Sequence, residues 1–298
     1  MKFEDIIKYD DSFKELADIL EKKEETELLN LSSFDAFVQD IFSLSYPQFS
    51  FRSWHIRKIC SFIDSVLNSE NKMAVMALPR YHLKSTISGH ALTLYRFLKC
   101  YGDAFYCSYK DELAGIHLSN IKREVESNPI LSKMMIDLKS RSESGIHYKI
   151  GNKKVRLYSA GVFSVKRGIH VDSVVVSDDL LGTVENPMTL GELEKAERMF
   201  NQEIINIPNK GCPLIVFGTT IDYSDLLFKL KDNSEFMNLW MPAIHPDKEH
   251  EVLWEDVFDK KTLDIKKRAS GWKAFSTEFL LTPVSATEAF LTREEIDR

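Results

Sequence analysis

Three short runs, Met73-Ala74-Val75-Met76-Ala77-Leu78, Val174-Val175-Val176-Ser177 and Leu214-Ile215-Val216-Phe217, are apolar without alternation. A strand that is apolar on both sides of the pleat has both faces covered, the condition of a central strand in a parallel sheet between two helical layers. Each run ends in a polar cluster, and each cluster leads into a segment of helical period, predicted at about 85–99, at 189–205 and from near 224. One more unit lies between the first two runs: a strand over 104–109 and a helix over 111–127, stopped by Asn128-Pro129. Gly151-Asn152 marks a hairpin joining 147–150 to 153–158, an ornament at the sheet edge. The order implies an α/β fold, a mainly parallel sheet sandwiched by helices, with its ligand crevice outside the carboxyl ends of the strands.

The 298 residues, 44% hydrophobic, suffice for one large domain or two modest ones. A net charge of -6 gives no global basic field, and residues 1–30, with ten acidic and five basic side chains, repel anionic polymers. Cys60, Cys100, Cys107 and Cys212 form no Cys-x-x-Cys pair, which argues against a zinc site and a disulfide framework. No apolar run approaches the ~20 residues needed to span a bilayer, and the acidic amino terminus is unlike a signal peptide. The expectation is a soluble protein of a reducing cytoplasm, with no membrane partner. Residues 1–50 read as a helical segment, with Phe13, Leu16, Ile19 and Leu20 at helical spacing. A helix over 54–67 opens the main domain, 51–240, and residues 241–298, through Trp272 and Phe290, read as a small lid or linker of sparse strands and short helices.

The first polar cluster, Leu78 to Thr86, places Lys84-Ser85-Thr86 between a buried strand and a helix start. Backbone N–H groups there cradle phosphate; Lys84 would neutralise the β- and γ-phosphates of ATP and Ser85 would bind Mg2+. Leu78 and Leu83 stand where the usual pattern has glycines, so the loop must reach its conformation without glycine's freedom. Without other motifs, Lys-Ser-Thr is equally a surface helix start. In the second cluster Asp178 would hold the Mg2+ shell through water and Asp179 would orient and deprotonate the attacking water. The alternative is a helix N-cap and solvated turn. The third, Gly218-Thr219-Thr220, would sense the γ-phosphate and pass its loss to the lid, or is simply a turn. About ninety residues between Lys84 and Asp178 suit an ATPase with an additional strand between these motifs.

Pro-Arg-x-His-x-Lys-Ser-Thr after a strand, Lys166-Arg167-Gly168 before a strand ending in Asp-Asp, and Gly-Thr-Thr on the next strand resemble the large terminase subunit of tailed viruses. The resemblance runs from about Trp54 onward. It implies a P-loop ATPase of the RecA/ASCE-like kind in which Pro79, Arg80, Tyr81, His82, Leu83, Lys84, Ser85 and Thr86 line the nucleotide. Trp54 and His55 resemble the element that contacts adenine, the alternative being core or capping residues. Arg80 resembles the loop arginine, and Arg167 the arginine that reaches a neighbouring subunit's site, unless it pairs with Asp172 or caps a helix. Residues 279–296, with Glu288-Ala289-Phe290, are similar to the stretch leading into a nuclease domain, and no nuclease activity is expected of this chain. The implied partners are double-stranded DNA gripped without sequence preference, a portal protein, a small terminase subunit and further copies in a ring, the isolated chain being a monomer, in the host cell cytoplasm. Lys166 and the run Lys266-Lys267-Arg268 are either DNA contacts or solvated faces. Two other functions stay open: a helicase-like nucleic-acid ATPase and a non-catalytic nucleotide-sensing scaffold.

Overall fold

The computed structural model describes residues 31–139, 145–182, 188–245 and 252–284. The expected helices before residue 31 and the Glu288-Ala289-Phe290 stretch lie outside them. The described strands are β1 (Met73–Ala77), β2 (Ala104–Ser108), β3 (Met135–Asp137), β4 (Gly145–Ile150), β5 (Lys153–Gly161), β6 (Val174–Asp178), β7 (Leu214–Gly218) and β8 (Met237–Trp240). They form one sheet in the order β3-β4-β5-β2-β6-β7-β1-β8, antiparallel only at β3, β4 and β5. The described helices are α1 (Phe34–Asp40), α2 (Trp54–Asn68), α3 (Leu92–Cys100), α4 (Asp111–Ser127), α5 (Leu131–Met134), α6 (Leu190–Gln202), α7 (Leu226–Lys231) and α8 (Lys260–Glu278). A π-helical turn, Ser85–Ala91, leads into α3.

The pleat sorts each apolar run into two cores. Ala74 and Met76 share one with Tyr106, Val174, Val176, Ile215 and Phe217, beneath Ile56 and Ile59 of α2, Leu94 of α3 and Ile121 of α4. Val75 shares the other with Phe105, Val175, Leu214 and Val216, under Phe200 of α6 and Leu226 and Leu230 of α7. Each fully buried Val, Ile or Phe contributes roughly 1.5–3 kcal/mol, so absent alternation translates directly into helices on both faces. Phe34, Phe37, Phe42 and Phe51 of the leading segment enter the first core, and Asp64 of α2 accepts N–H groups of Phe34 (2.7 Å) and Asp35 (3.2 Å) at the start of α1.

Two expectations change. The hairpin is not an edge ornament: β5 pairs in parallel with β2, Ala104 opposite Leu157, and carries β4 and β3 outward, so the sheet is extended by three strands. At the other edge β8 pairs in parallel with β1, Ala77 opposite Trp240. The segment after Met241 keeps the expected character, an isolated bridge between Ile244 and Val252 and a helical stretch, α8, broken into two shorter helices at Gly271 (φ 79°), where a positive φ suits glycine. Its Leu263, Phe275 and Phe279 join Ala243, Trp254 and Phe258 in a third cluster, against which Leu83 packs. No helix among the described residues is long and apolar enough to cross a membrane.

Candidate nucleotide-binding site

β6, β7 and β1 are consecutive in the sheet, so the three polar clusters emerge side by side at one rim. Lys84 Nζ lies 2.8 Å from Asp179 Oδ2. Asp179 Oδ1 accepts the Thr219 N–H at 3.0 Å, and the Thr219 hydroxyl donates to the Leu78 carbonyl at 3.3 Å. One carboxylate thereby joins the ends of all three strands. Burial acts to lower the Lys84 pKa, but Asp179 and then Asp178 outweigh it and hold the ammonium above its ordinary value.

Asp178 is 1% exposed. The Tyr106 hydroxyl donates to its Oδ2 at 2.6 Å, and His117 Nε2 lies 3.4 Å from the same oxygen. Burial pushes this carboxyl above the usual range and Asp179 adds to the push, while His117, Lys84 and Tyr106 pull the other way. Its buried Oδ1 has no hydrogen-bond partner among the described residues. An unpaired buried carboxylate oxygen is costly unless a cation or its water meets it, so the position fits Mg2+, with half-buried Ser85 beginning the adjacent helix. Among the described residues no group of three His, Cys, Asp or Glu could cage an ion. Mg2+ at phosphate sites takes one or two carboxylates plus waters and the substrate's own oxygens.

The glycine-free loop adopts glycine's backbone at the second of the two positions: Leu83 has φ 61°, and neighbouring Tyr81 has φ 67°. Left-handed backbone costs a non-glycine residue about 1–2 kcal/mol, and packing against the third cluster opposes that cost. Leu83 packs between the first core and the third cluster; buried His82 stacks on Phe258 at 4.7 Å. The Arg80 N–H donates to the Glu278 carbonyl at 3.1 Å, and its guanidinium pairs with the Glu278 carboxylate at 2.8 Å. Leu78, at the first position, needs no such backbone, because its N–H donates to the Gly218 carbonyl (3.1 Å) and prolongs the β1–β7 ladder. Pro79 is buried and Thr86 half-buried.

Trp54 is half exposed and lines a cavity of about 180 Å3 with Lys58, Trp240, Pro242, His245 and Leu253, beside β8 and one strand from the phosphate loop. His55 corrects the expectation of an adenine contact. Successive helical residues point about 100° apart, and His55 turns fully inward against Trp254 (4.9 Å) and His82 (6.1 Å), where a nucleobase has no access. Arg167 pairs with Glu203 at 2.8 Å, not with Asp172, and its side chain is 83% exposed. Lys166 is exposed. Lys266 is engaged over the Tyr81 ring at 4.9 Å and Lys267 over Trp272 at 4.8 Å.

Sequence reasoning passed over several partners of this site. Tyr106 is mid-strand and His117 mid-helix, and nothing local marks either as a neighbour of Asp178. Thr220 belongs to the third polar cluster, but its partner does not show in the sequence: the buried hydroxyl donates to the Thr277 carbonyl of α8 at 3.2 Å.

Two consequences are measurable. Leu83→Gly should keep loop and fold, because glycine holds φ 61° without strain, whereas β-branched Leu83→Val, poorly suited to positive φ, should lower stability by about 1–3 kcal/mol. Chemical melts in which Val and Gly behave alike would contradict this. Burial lowers the His55 pKa to about 3, His82 adding to it, and burial lowers His82 to about 4, the Arg80 carbonyl opposing. The unfolded forms titrate near ~6.5, so the unfolded chain binds the extra protons. Their contribution to stability is present above about pH 6.5 and is lost as the pH falls toward 4 for His82 and 3 for His55, by on the order of 2 kcal/mol per histidine at pH 5. His55→Leu should flatten the decline between pH 7.5 and 5; a slope equal to the parent's would refute the assignment.

No protein-family profile matches this sequence, and no curated protein matches it either. Solved structures do match. The large terminase of bacteriophage HK97 aligns with a TM-score of 0.55 at 12% identity, over 84% of this chain and 54% of that one. A variant of the large terminase ATPase domain of Thermus phage P74-26 aligns with a TM-score of 0.50 at 10% identity, over 72% of this chain and 90% of that one. The chain spans about half the length of the large terminases it matches. Its eight-stranded, mainly parallel sheet, flanked by helices, has the fold of the ATPase domain of phage large terminases.

Proposed function

We propose that this chain is the ATP-hydrolysing motor domain of a DNA-packaging terminase large subunit. The observation that carries the reading is the convergence of Lys84, Asp179 and Thr219 at three consecutive strand ends. The phosphate loop and the helix start after Lys84 would receive the triphosphate. Its charge would replace Asp179 as the partner of Lys84, and the freed carboxylate, still held by the Thr219 N–H, would orient a water and accept its proton as the water oxygen attacks the γ-phosphorus and ADP departs. Ser85 and, through water, Asp178 would hold Mg2+, which would supply neutralising charge at the phosphate oxygens. Trp54 would face adenine across the cavity it lines.

Arg80, paired with Glu278 in the free loop, would turn to meet phosphate charge, while exposed Arg167 would act on a neighbouring subunit's nucleotide, so hydrolysis would depend on ring assembly. Thr219 would register the γ-phosphate, and the Thr220 bond to α8 would carry its loss to the lid. Double-stranded DNA would be gripped through phosphates, without sequence preference, with a portal protein and a small terminase subunit as partners in the host cytoplasm. The left-handed backbone of Leu83 favours this reading over a non-catalytic scaffold, because the missing glycines leave the loop's conformation accessible.

In the assembled protein, phosphate release should fall at least ~100-fold in both Lys84→Ala and Asp179→Asn. Nucleotide binding should be lost in the first and kept in the second. An assembled parent without ATP turnover would sink the proposal. Mixing Arg167→Ala with Asp179→Asn subunits should restore part of the activity at intermediate ratios, because each supplies what the other lacks; an arginine given in trans is worth ~10³–10⁵ in rate. No recovery at any ratio would remove Arg167 from that role.

A further inference from the structure

Behind Asp178 runs a row of ionisable groups that the hydrolysis scheme does not use. Tyr106, whose hydroxyl reaches Asp178, stacks on the His117 ring with centroids 5.0 Å apart and planes 24° apart. His117 Nδ1 is 3.0 Å from His90 Nε2, and His90 Nδ1 is 2.8 Å from Glu124 Oε1. Glu124 in turn accepts the Tyr46 hydroxyl of the leading segment. His90 and Glu124 are buried, and polar groups kept in an apolar core are expensive unless each is bonded. For His117 to present its Nε2–H to Asp178, its bare Nδ1 must accept the His90 Nε2–H, and the contact between His90 Nδ1 and Glu124 is then a hydrogen bond only with one further proton, on the imidazole or on the carboxyl. The row spans the two nucleotide motifs: His90 sits on the π-helical turn that follows Lys84, and His117 reaches the carboxylate at the end of β6.

Gly89, on the same turn, supplies a second and independent observation. A Cβ at this position would stand 2.6 Å from the Tyr106 hydroxyl oxygen, so the absence of a side chain is what lets that hydroxyl pass to Asp178. Insertions of π geometry into helices recur at functional sites because they re-aim the residues on the turn.

We infer that Tyr106 and His117 are positioning residues for Asp178. They hold its Oδ2 from two directions and leave Oδ1 as the oxygen offered to the metal's water, while His90 and Glu124 fix the His117 ring and Gly89 provides the clearance. The inference rests on the nucleotide-binding reading above. It adds residues that touch neither nucleotide nor metal.

The test uses the full chain and a fluorescent ATP analogue, titrated with Mg2+ and separately in excess EDTA, with circular dichroism to establish folding. Partners that orient a metal-binding group commonly carry 10–100-fold of the metal affinity. Tyr106→Phe, which removes one oxygen, and His117→Ala should therefore keep the metal-free nucleotide affinity within about two-fold while needing ~10-fold more Mg2+ or beyond for the metal-dependent gain. His117→Gln, whose amide can donate to Asp178, should recover most of that loss. Gly89→Ala should reproduce Tyr106→Phe. In turnover the defect should appear in kcat and be relieved by raised Mg2+. If folded Tyr106→Phe and His117→Ala both show the parent's Mg2+ requirement, the inference is wrong, though a parent that binds nucleotide in a Lys84-dependent way would still stand as a nucleotide-binding protein. A parent with no Mg2+-dependent binding would overturn both readings together.

Discussion

One buried ammonium set against two adjacent carboxylates governs the rim of this sheet. Lys84 has a side chain only 10% exposed, and a charge so placed is stable only with a close counter-charge. Asp178 and Asp179 supply it, yet neighbours of like sign in sequence repel and cannot both point inward. The backbone separates them: Asp178 ends β6 with its side chain in the core, and Asp179 turns to φ 45° with its side chain 42% exposed. Aspartate is among the few residues that enter the left-handed region readily. The inner carboxylate is therefore held by Tyr106 and His117 and the outer one by Lys84 and Thr219, and the two can serve different partners.

Helix α8 is tied to this rim at two adjacent residues. Thr277 accepts from Thr220 at the end of the β7 cluster, and Glu278 binds Arg80 of the phosphate loop through both backbone and side chain. A displacement of either the loop or the β7 turn therefore reaches the same last turn of α8. The third hydrophobic cluster gives that turn something rigid to move, since Phe275 and Phe279 stack at 5.2 Å and share a core with Trp254 and Phe258. Small shifts at a packed boundary of this kind are transmitted, not absorbed, because close-packed side chains deform little.

What could be read beforehand follows the range of the interactions. The central strands were legible because two-sided burial leaves an unbroken apolar run, and the meeting of Lys84, Asp179 and Thr219 was legible because strand ends in a parallel sheet share one rim. β3 and β8 were not, being short, partly exposed strands whose pairing is decided by their neighbours in the sheet. The Gly151-Asn152 turn was visible, but the parallel partner of β5 was not, because register with β2 is a matter of tertiary packing. His55 was misjudged because a motif names residues without saying which side of a helix each occupies. Tyr106 and His90 bond to groups 72 and 34 residues away, and no local pattern encodes such contacts.

The phosphate loop carries the same argument furthest. Glycine at the second loop position is usually taken as a requirement, since an L-residue there is strained. Here Leu83 occupies the left-handed region at φ 61°, and what glycine would supply locally is supplied from a distance, by apolar packing on the lid, the His82–Phe258 stack and the hold of Glu278 on Arg80. A sequence pattern that demands glycine passes over this loop although its backbone angle is the one glycine would give. The conformation of the loop has become a tertiary property, so its integrity depends on the packing of the third cluster, and a loosened α8 would let Leu83 relax out of the left-handed region.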